Sequence, residues 1–129
     1  MGVPLSDTAR RLVDEKTYVV VTTVNPDGSP HSTVLWIKRD GDDLIFSTIT
    51  SRRKARNLRR DPRASVSFYD PAEPYTYATV NGTVTMTTEG GRELIDELSM
   101  KYNGRPYPQE PPEHIRVVCR LTPTSVLGR

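Results

Sequence analysis

At 129 residues, with 35% apolar and 26% charged side chains, the chain fits one domain, 1–129, with a modest core that a shared subunit interface would reinforce. A formal net charge of +2 makes it mildly basic, which by itself does not call for nucleic acid. The single cysteine, Cys119, excludes an intrachain disulfide, and within the run Ile115–Leu121 it reads as a packing residue rather than a reactive thiol. Residues 1–11 lack the apolar stretch of a signal peptide, and no run approaches the ~20 apolar residues of a membrane span, so a soluble, cytoplasmic protein is expected.

Ser6 is placed to cap a helix over Asp7–Lys16, with Ala9, Leu12 and Val13 at helical spacing. The β-branched run Tyr18–Val24 predicts a buried strand. Asn25-Pro26-Asp27-Gly28-Ser29-Pro30 supplies turn chemistry, with Gly28 free to take positive φ. A second strand over His31–Arg39, a tight turn at Asp40-Gly41-Asp42 and a third strand over Asp43–Thr48 complete an expected antiparallel meander. Ser51 is the expected N-cap of a helix over Arg52–Arg60, which Pro62 ends.

Strands are expected over Ala64–Tyr69 and from Tyr75 to about Met86, separated by a loop at 70–74. Thr87 or Thr88 is expected to cap a helix over Glu89–Tyr102 with an apolar stripe of Leu94, Ile95, Leu98 and Met100. The segment 103–112 carries Pro106, Pro108, Pro111 and Pro112 and reads as extended. Ile115–Leu121 is the last strand, with 125–127 as an extension. Six short antiparallel strands in so small a chain favour closure into a barrel flanked by short helices, a mainly β (α+β) fold.

The run Ser47-Thr48-Ile49-Thr50-Ser51-Arg52-Arg53-Lys54 ends a strand in hydroxyls and opens a helix with three cations. Cations in a first turn oppose the helix dipole at roughly 0.3–1 kcal/mol each. An anion bound there would reverse that sign, with Ser51, Arg52, Lys54 and the free N–H groups converging on a phosphate. A plain solvated basic helix is the other reading, and both stand. Seven basic residues and one acid, Asp61, lie between Arg52 and Arg63. A nucleic-acid surface would want aromatics or a reading helix nearby, and neither is seen. His31 and His114 have no partners spaced for a catalytic triad and no company of further metal ligands.

The block Arg52–Arg63, together with the upstream Asp27-Gly28-Ser29-Pro30 hairpin and the Asn81-Gly82-Thr83-Val84 pattern, resembles the pyridoxamine-phosphate-oxidase-like flavin-binding split barrels. Within that superfamily the chain is most similar to the coenzyme F420-dependent (deazaflavin) reductases, over Lys16 to Val126. The resemblance implies a six-stranded split β-barrel and a homodimer with two cofactor sites in grooves between subunits. It implies that Arg52 and Lys54 hold the cofactor phosphate, with Ser47 and Thr48 beside the phosphate or ribityl chain. Thr33 would contact the ring system, and Tyr77 would approach from the partner subunit. Tyr75 and Trp36 are candidates for the ring or substrate pocket, with core packing preferred for Trp36. The chain lacks the C-terminal basic and aromatic extension of the vitamin-B6 oxidases, which argues against pyridoxal phosphate chemistry.

Three functions are therefore carried forward. The first is an F420-dependent reductase passing hydride to an unsaturated or conjugated small molecule, with Tyr77, Tyr75 or a water as proton source. The second keeps the fold with FMN, as an oxidase, a reductase or a non-catalytic flavin-binding protein. The third is a polyanion-binding module using the basic helix.

Overall fold

A computed structural model describes residues 2–128. Its elements are α1 (Asp7–Asp14), β1 (Val19–Val24), β2 (Pro30–Leu35), β3 (Lys38–Asp40), β4 (Asp43–Ile49), α2 (Arg53–Arg60), β5 (Arg63–Asp70), β6 (Glu73–Thr87), α3 (Gly91–Asn103) and β7 (Arg116–Gly128). One antiparallel sheet of seven strands runs in the order β2-β1-β5-β6-β7-β4-β3. The two outermost strands are successive in the chain, joined only by Trp36 and Ile37, so the sheet curls into a barrel.

That link corrects the single strand expected over 31–39 and raises the strand count from six to seven. The first half of the segment pairs with β1, Val20 facing Val34, and the second half pairs with β4, Lys38 facing Ile45. The expected meander is therefore divided between opposite ends of the sheet. It also explains the split. Beyond the link, β2 has a ladder partner only in β1, and Phe46–Ile49 of β4 pair only with β7. The facing edges of β2 and β4 stay unpaired, and a gap opens between them.

The core follows from alternation. Val19, Val21, Phe46, Val66, Val80, Cys119 and Leu121 point into the barrel and form one buried cluster with α1, which contributes Ala9, Leu12 and Val13. Ser6 caps α1 as expected, its hydroxyl accepting from the Ala9 N–H at 3.1 Å. Gly28 takes φ 88° in the β1–β2 turn, where the Ser29 N–H donates to Asp27. Burial pushes the Cys119 thiol up to about 12, as the packing reading requires.

Helix α3 lies outside the barrel, and Ile45, Leu94 and Leu98 make a second, smaller core there. Its start differs from expectation. Neither threonine caps it; Gly90, at φ 80°, is the N-cap, and Thr87 accepts instead from the Glu89 N–H. The reason is packing: a Cβ on Gly91 would overlap the Arg116 carbonyl, so only glycine lets the helix approach β7 this closely. Met100 is not part of the buried stripe; it is 52% exposed, and Tyr102 takes its place one turn after Leu98. No described helix is long and apolar enough to cross a membrane.

Candidate functional site

The gap between β2 and β4 holds a hollow of about 240 Å³ bordered by Tyr18, Trp36, Ser47, Arg52, Tyr107 and Arg116, with Ile95 and Leu98 among its apolar walls. Trp36 comes from the link that splits the strand, and Tyr102 fixes it. The rings stack at 5.4 Å and 15°, and the Tyr102 hydroxyl accepts from the Ile37 N–H and donates to the Thr17 carbonyl. Trp36 thus serves both readings given to it, packing against the α3 cluster on one side and lining the hollow on the other.

Ser47 and Arg116 are diagonal neighbours on the β4–β7 ladder, Ser47 lying opposite Val118 and Arg116 opposite Ile49. The Arg116 guanidinium donates to Ser47 Oγ at 3.3 Å and pairs with the Glu110 carboxylate at 2.9 Å. Arg116 is only 8% exposed, so the carboxylate is needed to offset a buried charge. In turn Arg116 holds Glu110 below the usual carboxylate range. Glu110 belongs to the proline-rich segment, which beyond Asn103 is non-helical as expected, forms no regular element and is tied down at several points. Arg92 donates to the Tyr107 and Pro108 carbonyls, and Asp96 accepts from the Tyr107 N–H at 2.9 Å. The result plants the Tyr107 ring edge-on to Trp36 at 6.2 Å, with the Arg116 guanidinium 5.0 Å and that of Arg92 5.8 Å from its centroid.

Helix α2 closes the adjoining end of the barrel. Its start corrects the expected cap: the Arg52 N–H bonds to Ile49 O, a turn that moves the helix start on by one residue, so Arg52 is the N-cap and Ser51 is exposed before it. No side chain caps the helix, and its first turn contains no acid. The first-turn N–H groups have no intrahelical acceptor. Lys54, also in that turn, is buried at 5% exposure with no hydrogen bond or ion pair to any described residue, and burial, then the Arg52 charge, pushes its ammonium pKa down.

Two further polar atoms lack partners. The hydroxyls of Thr33 and Thr48 are buried without a hydrogen bond. Each lies opposite a core valine, Val21 and Val117 respectively, which places both on the inner face of the two strands that border the split. Orphaned hydroxyls, an uncapped helix and an unpaired buried ammonium are all costly unless something else supplies the missing partners. Their chemistry, donors and a positive charge, fits an anion such as a phosphate with neighbouring oxygens.

The remaining arginines of the basic run divide into two groups. Arg59 donates to Thr50 O, Arg60 to Val24 O, and Arg63 pairs with Asp61 at 2.7 Å, pulling that carboxyl down to about 2. These are tethers. Arg52, Arg53 and Arg56 are exposed, and their side chains make no hydrogen bond or ion pair with described residues.

Of the expected site residues, the structure brings Ser47 and Arg52 together on the hollow. Thr48 and Thr33 lie on the inner face and Lys54 in the buried first turn of α2, while Ser51 stands outside. Tyr77 is elsewhere. It is 42% exposed on the outer face of the sheet and borders a different hollow of about 450 Å³ with Tyr18, Val20 and Tyr69. Tyr75 is on the same exposed strand.

Sequence reasoning missed Arg116, Glu110, Tyr107 and Asn57. The signal for the first was an arginine placed directly before the apolar run Val117–Cys119. Asn57 is fully buried and donates to Thr23 and Asn25, fastening α2 to the β1–β2 turn.

Comparison with known proteins agrees with this architecture. The family model described as pyridoxamine 5'-phosphate oxidase matches residues 5–129. The pyridoxine/pyridoxamine 5'-phosphate oxidase of Acidothermus cellulolyticus is 35% identical over 97 residues, 72% of this chain and 40% of that protein. Its namesake from Neisseria gonorrhoeae is 33% identical over 105 residues, 80% and 46% of the two chains. The chain thus spans less than half the length of these curated relatives. Among solved structures, an F420 reductase superposes with TM-score 0.83 at 30% identity over 93% of this chain and 96% of that one. The conserved hypothetical protein Rv2991 of Mycobacterium tuberculosis gives 0.75 at 25% identity over 94% and 82%. With a split barrel matched from end to end and the family model covering residues 5–129, the chain belongs to the pyridoxamine 5'-phosphate oxidase family.

Proposed function

We propose that this protein is an oxidoreductase that uses a deazaflavin of the F420 type to deliver hydride to an unsaturated or conjugated small molecule. The observation that carries the reading is the start of α2, where an uncapped, acid-free first turn and an unpaired buried lysine adjoin an aromatic-walled hollow at the split. The cofactor preference draws on the comparisons. The F420 reductase is matched along 96% of its length, whereas the two curated oxidases are matched along 40% and 46% of theirs.

In this reading the first-turn N–H groups of α2 and the Lys54 ammonium hold the cofactor phosphate, with Arg52 at the border between that end and the hollow. Thr33 and Thr48 give their orphaned hydroxyls to the same ligand. A bound, reduced deazaflavin supplies the hydride. The chain's own contribution is to fix a flat partner against Trp36 and Tyr107 and to keep water from the apolar part of the hollow. The outer sheet face carries exposed Tyr18, Val20, Val34, Tyr69, Tyr75 and Tyr77, with Val20 opposite Val34 and Tyr69 opposite Tyr77. That face suits a second copy of the chain, and Tyr18, which borders both hollows, would bring the partner's tyrosines to the site.

FMN is the second reading, favoured by the family model itself. A polyanion module is the weakest of the three, because Arg59, Arg60 and Arg63 are engaged in holding the fold. Titration of the purified protein with F420 and separately with FMN, followed by cofactor fluorescence, tests the choice. Tight F420 binding with weak FMN binding is expected; the reverse moves the protein to the FMN side, and failure of both removes the oxidoreductase reading.

A further inference from the structure

Ser47 is out of character with its strand. Its neighbours on the same face of β4, Ile45 and Ile49, are apolar and buried, and Ser47 itself is only 7% exposed. It borders the hollow at the split, yet its hydroxyl is not orphaned like those of Thr33 and Thr48, because Arg116 donates to Oγ at 3.3 Å.

That bond uses only part of the hydroxyl. A serine oxygen offers two acceptor positions and one O–H donor, while a guanidinium can only donate. The Ser47 proton therefore has no partner in Arg116. No other described residue takes it, since the bond from Arg116 is the one hydrogen bond of the Ser47 side chain. The donor is left for whatever enters the hollow.

Arg116 is held so that it cannot turn away. Its Nε and Nη2 donate to the Glu110 carboxylate at 3.0 and 2.9 Å, which leaves Nη1 for Ser47. The Tyr107 ring lies 5.0 Å from the guanidinium carbon. Stability alone does not ask for this arrangement, because an apolar pair of similar volume often replaces a buried ion pair without loss. What the ion pair adds is a fixed polarity at Ser47, and a hydroxyl that accepts from a cation is the stronger donor. Thr33 and Thr48, without partners, can turn either way.

We propose that Arg116 is a positioning residue for the cofactor: it commits the Ser47 hydroxyl to donate, so that this point of the groove takes an acceptor oxygen of the bound group. The proposal rests on the oxidoreductase reading in that the bound group is its cofactor.

The test is a double-mutant cycle on binding. F420 and, separately, FMN are titrated into wild type, Ser47→Ala, Arg116→Lys and the double variant, read on the cofactor's own fluorescence. Denaturant unfolding of each protein gives its stability in parallel. Ser47→Ala should weaken binding about tenfold, the scale of one hydrogen bond. Arg116→Lys keeps a cation beside Glu110, but an ammonium has no planar fork to span both partners. It should weaken binding about threefold or more with Ser47 present, and have no effect once Ser47→Ala is in place. Ser47→Thr, which keeps a hydroxyl, should keep the dependence on Arg116. If Arg116→Lys does not fold, Arg116→Met combined with Glu110→Leu exchanges the buried pair for an apolar one, with the same expectations.

Losses that add in the double variant would overturn the proposal, since Arg116 would then act on the ligand directly or through the fold. A dependence on Arg116 that disappears in Ser47→Thr would overturn it too. Both results leave the oxidoreductase reading standing, because the wild type still binds its cofactor. Wild-type protein that binds neither cofactor removes that reading, and the positioning role with it.

Discussion

Helices α1 and α2 are the same length, eight residues each, and begin under opposite rules. Ser6 caps α1, Asp7 stands in its first turn and Arg11 in its last, as the dipole prefers, and Asp14 at the unfavourable end is paired with Arg39. Helix α2 has an arginine as N-cap, no capping side chain and no acid in its first turn. Its stability comes from elsewhere, through the Asn57 bonds to the β1–β2 turn and the Arg59 and Arg60 tethers to backbone carbonyls. One helix start is complete in itself, and the other lacks the anion that the proposed cofactor phosphate would supply. Two arginines on the hollow repeat the contrast, since Arg116 has its carboxylate built in and Arg52 does not.

The largest expected effect concerns the built-in anion. Glu110→Ala leaves the Arg116 guanidinium buried and unpaired and should cost about 3 kcal/mol of stability in denaturant unfolding. The pH dependence carries a definite sign. Because the folded state holds the Glu110 pKa below its unfolded value, the pair's stabilisation is fully present above the ordinary glutamate value of about 4.3 and fades as pH falls through the lowered one. Wild type and variant should therefore converge in acid; a gap that stays constant to low pH would show that the charge is not the source.

The external anion comes next. Lys54→Met should weaken cofactor binding by about 1.5–3 kcal/mol, the worth of a charge-assisted contact. It should not lower the thermal stability of the cofactor-free protein, because the ammonium it removes is buried without a partner. A variant that binds normally would take Lys54 out of the site. The smallest effects compare the two serines. Ser6→Ala should cost about 1 kcal/mol of stability, whereas Ser51→Ala, one residue outside its helix, should stay within about 0.5 kcal/mol. Equal losses would mean that α2 is capped after all.

What was legible in the sequence is what acts over a few residues. The Ser6 cap, the β-branched strand Val19–Val24, the Gly28 turn and the charge conflict at the start of α2 each depend on neighbours within one turn or one hairpin. The helix-start errors were of the same local kind, overruled by contacts from further away. Gly90 displaced two good capping threonines because Gly91 had to fit against the Arg116 carbonyl, a contact between distant segments. The split was illegible because Trp36 and Ile37 continue a plausible strand pattern, and only the partners on either side show that pairing changes there. Arg116 and Glu110 were hidden for a similar reason, since the five residues of irregular backbone between them give no periodicity that would bring them together.

The two-residue link between β2 and β3 has a consequence for how this chain tolerates changes of length. Most turns here, such as 25–29 and 71–72, lie at the margins of hairpins, where an added residue lengthens a loop and leaves both ladders in register. Trp36 and Ile37 instead join the two outermost strands of the whole sheet, so their spacing sets the register of β2 against β1 and of β3 against β4 at once. One inserted or deleted residue at this link would exchange inward and outward faces in a strand whose neighbours are already fixed. The link is therefore the place in this fold where chain length is least negotiable, and the same two residues bring Trp36 to the wall of the hollow.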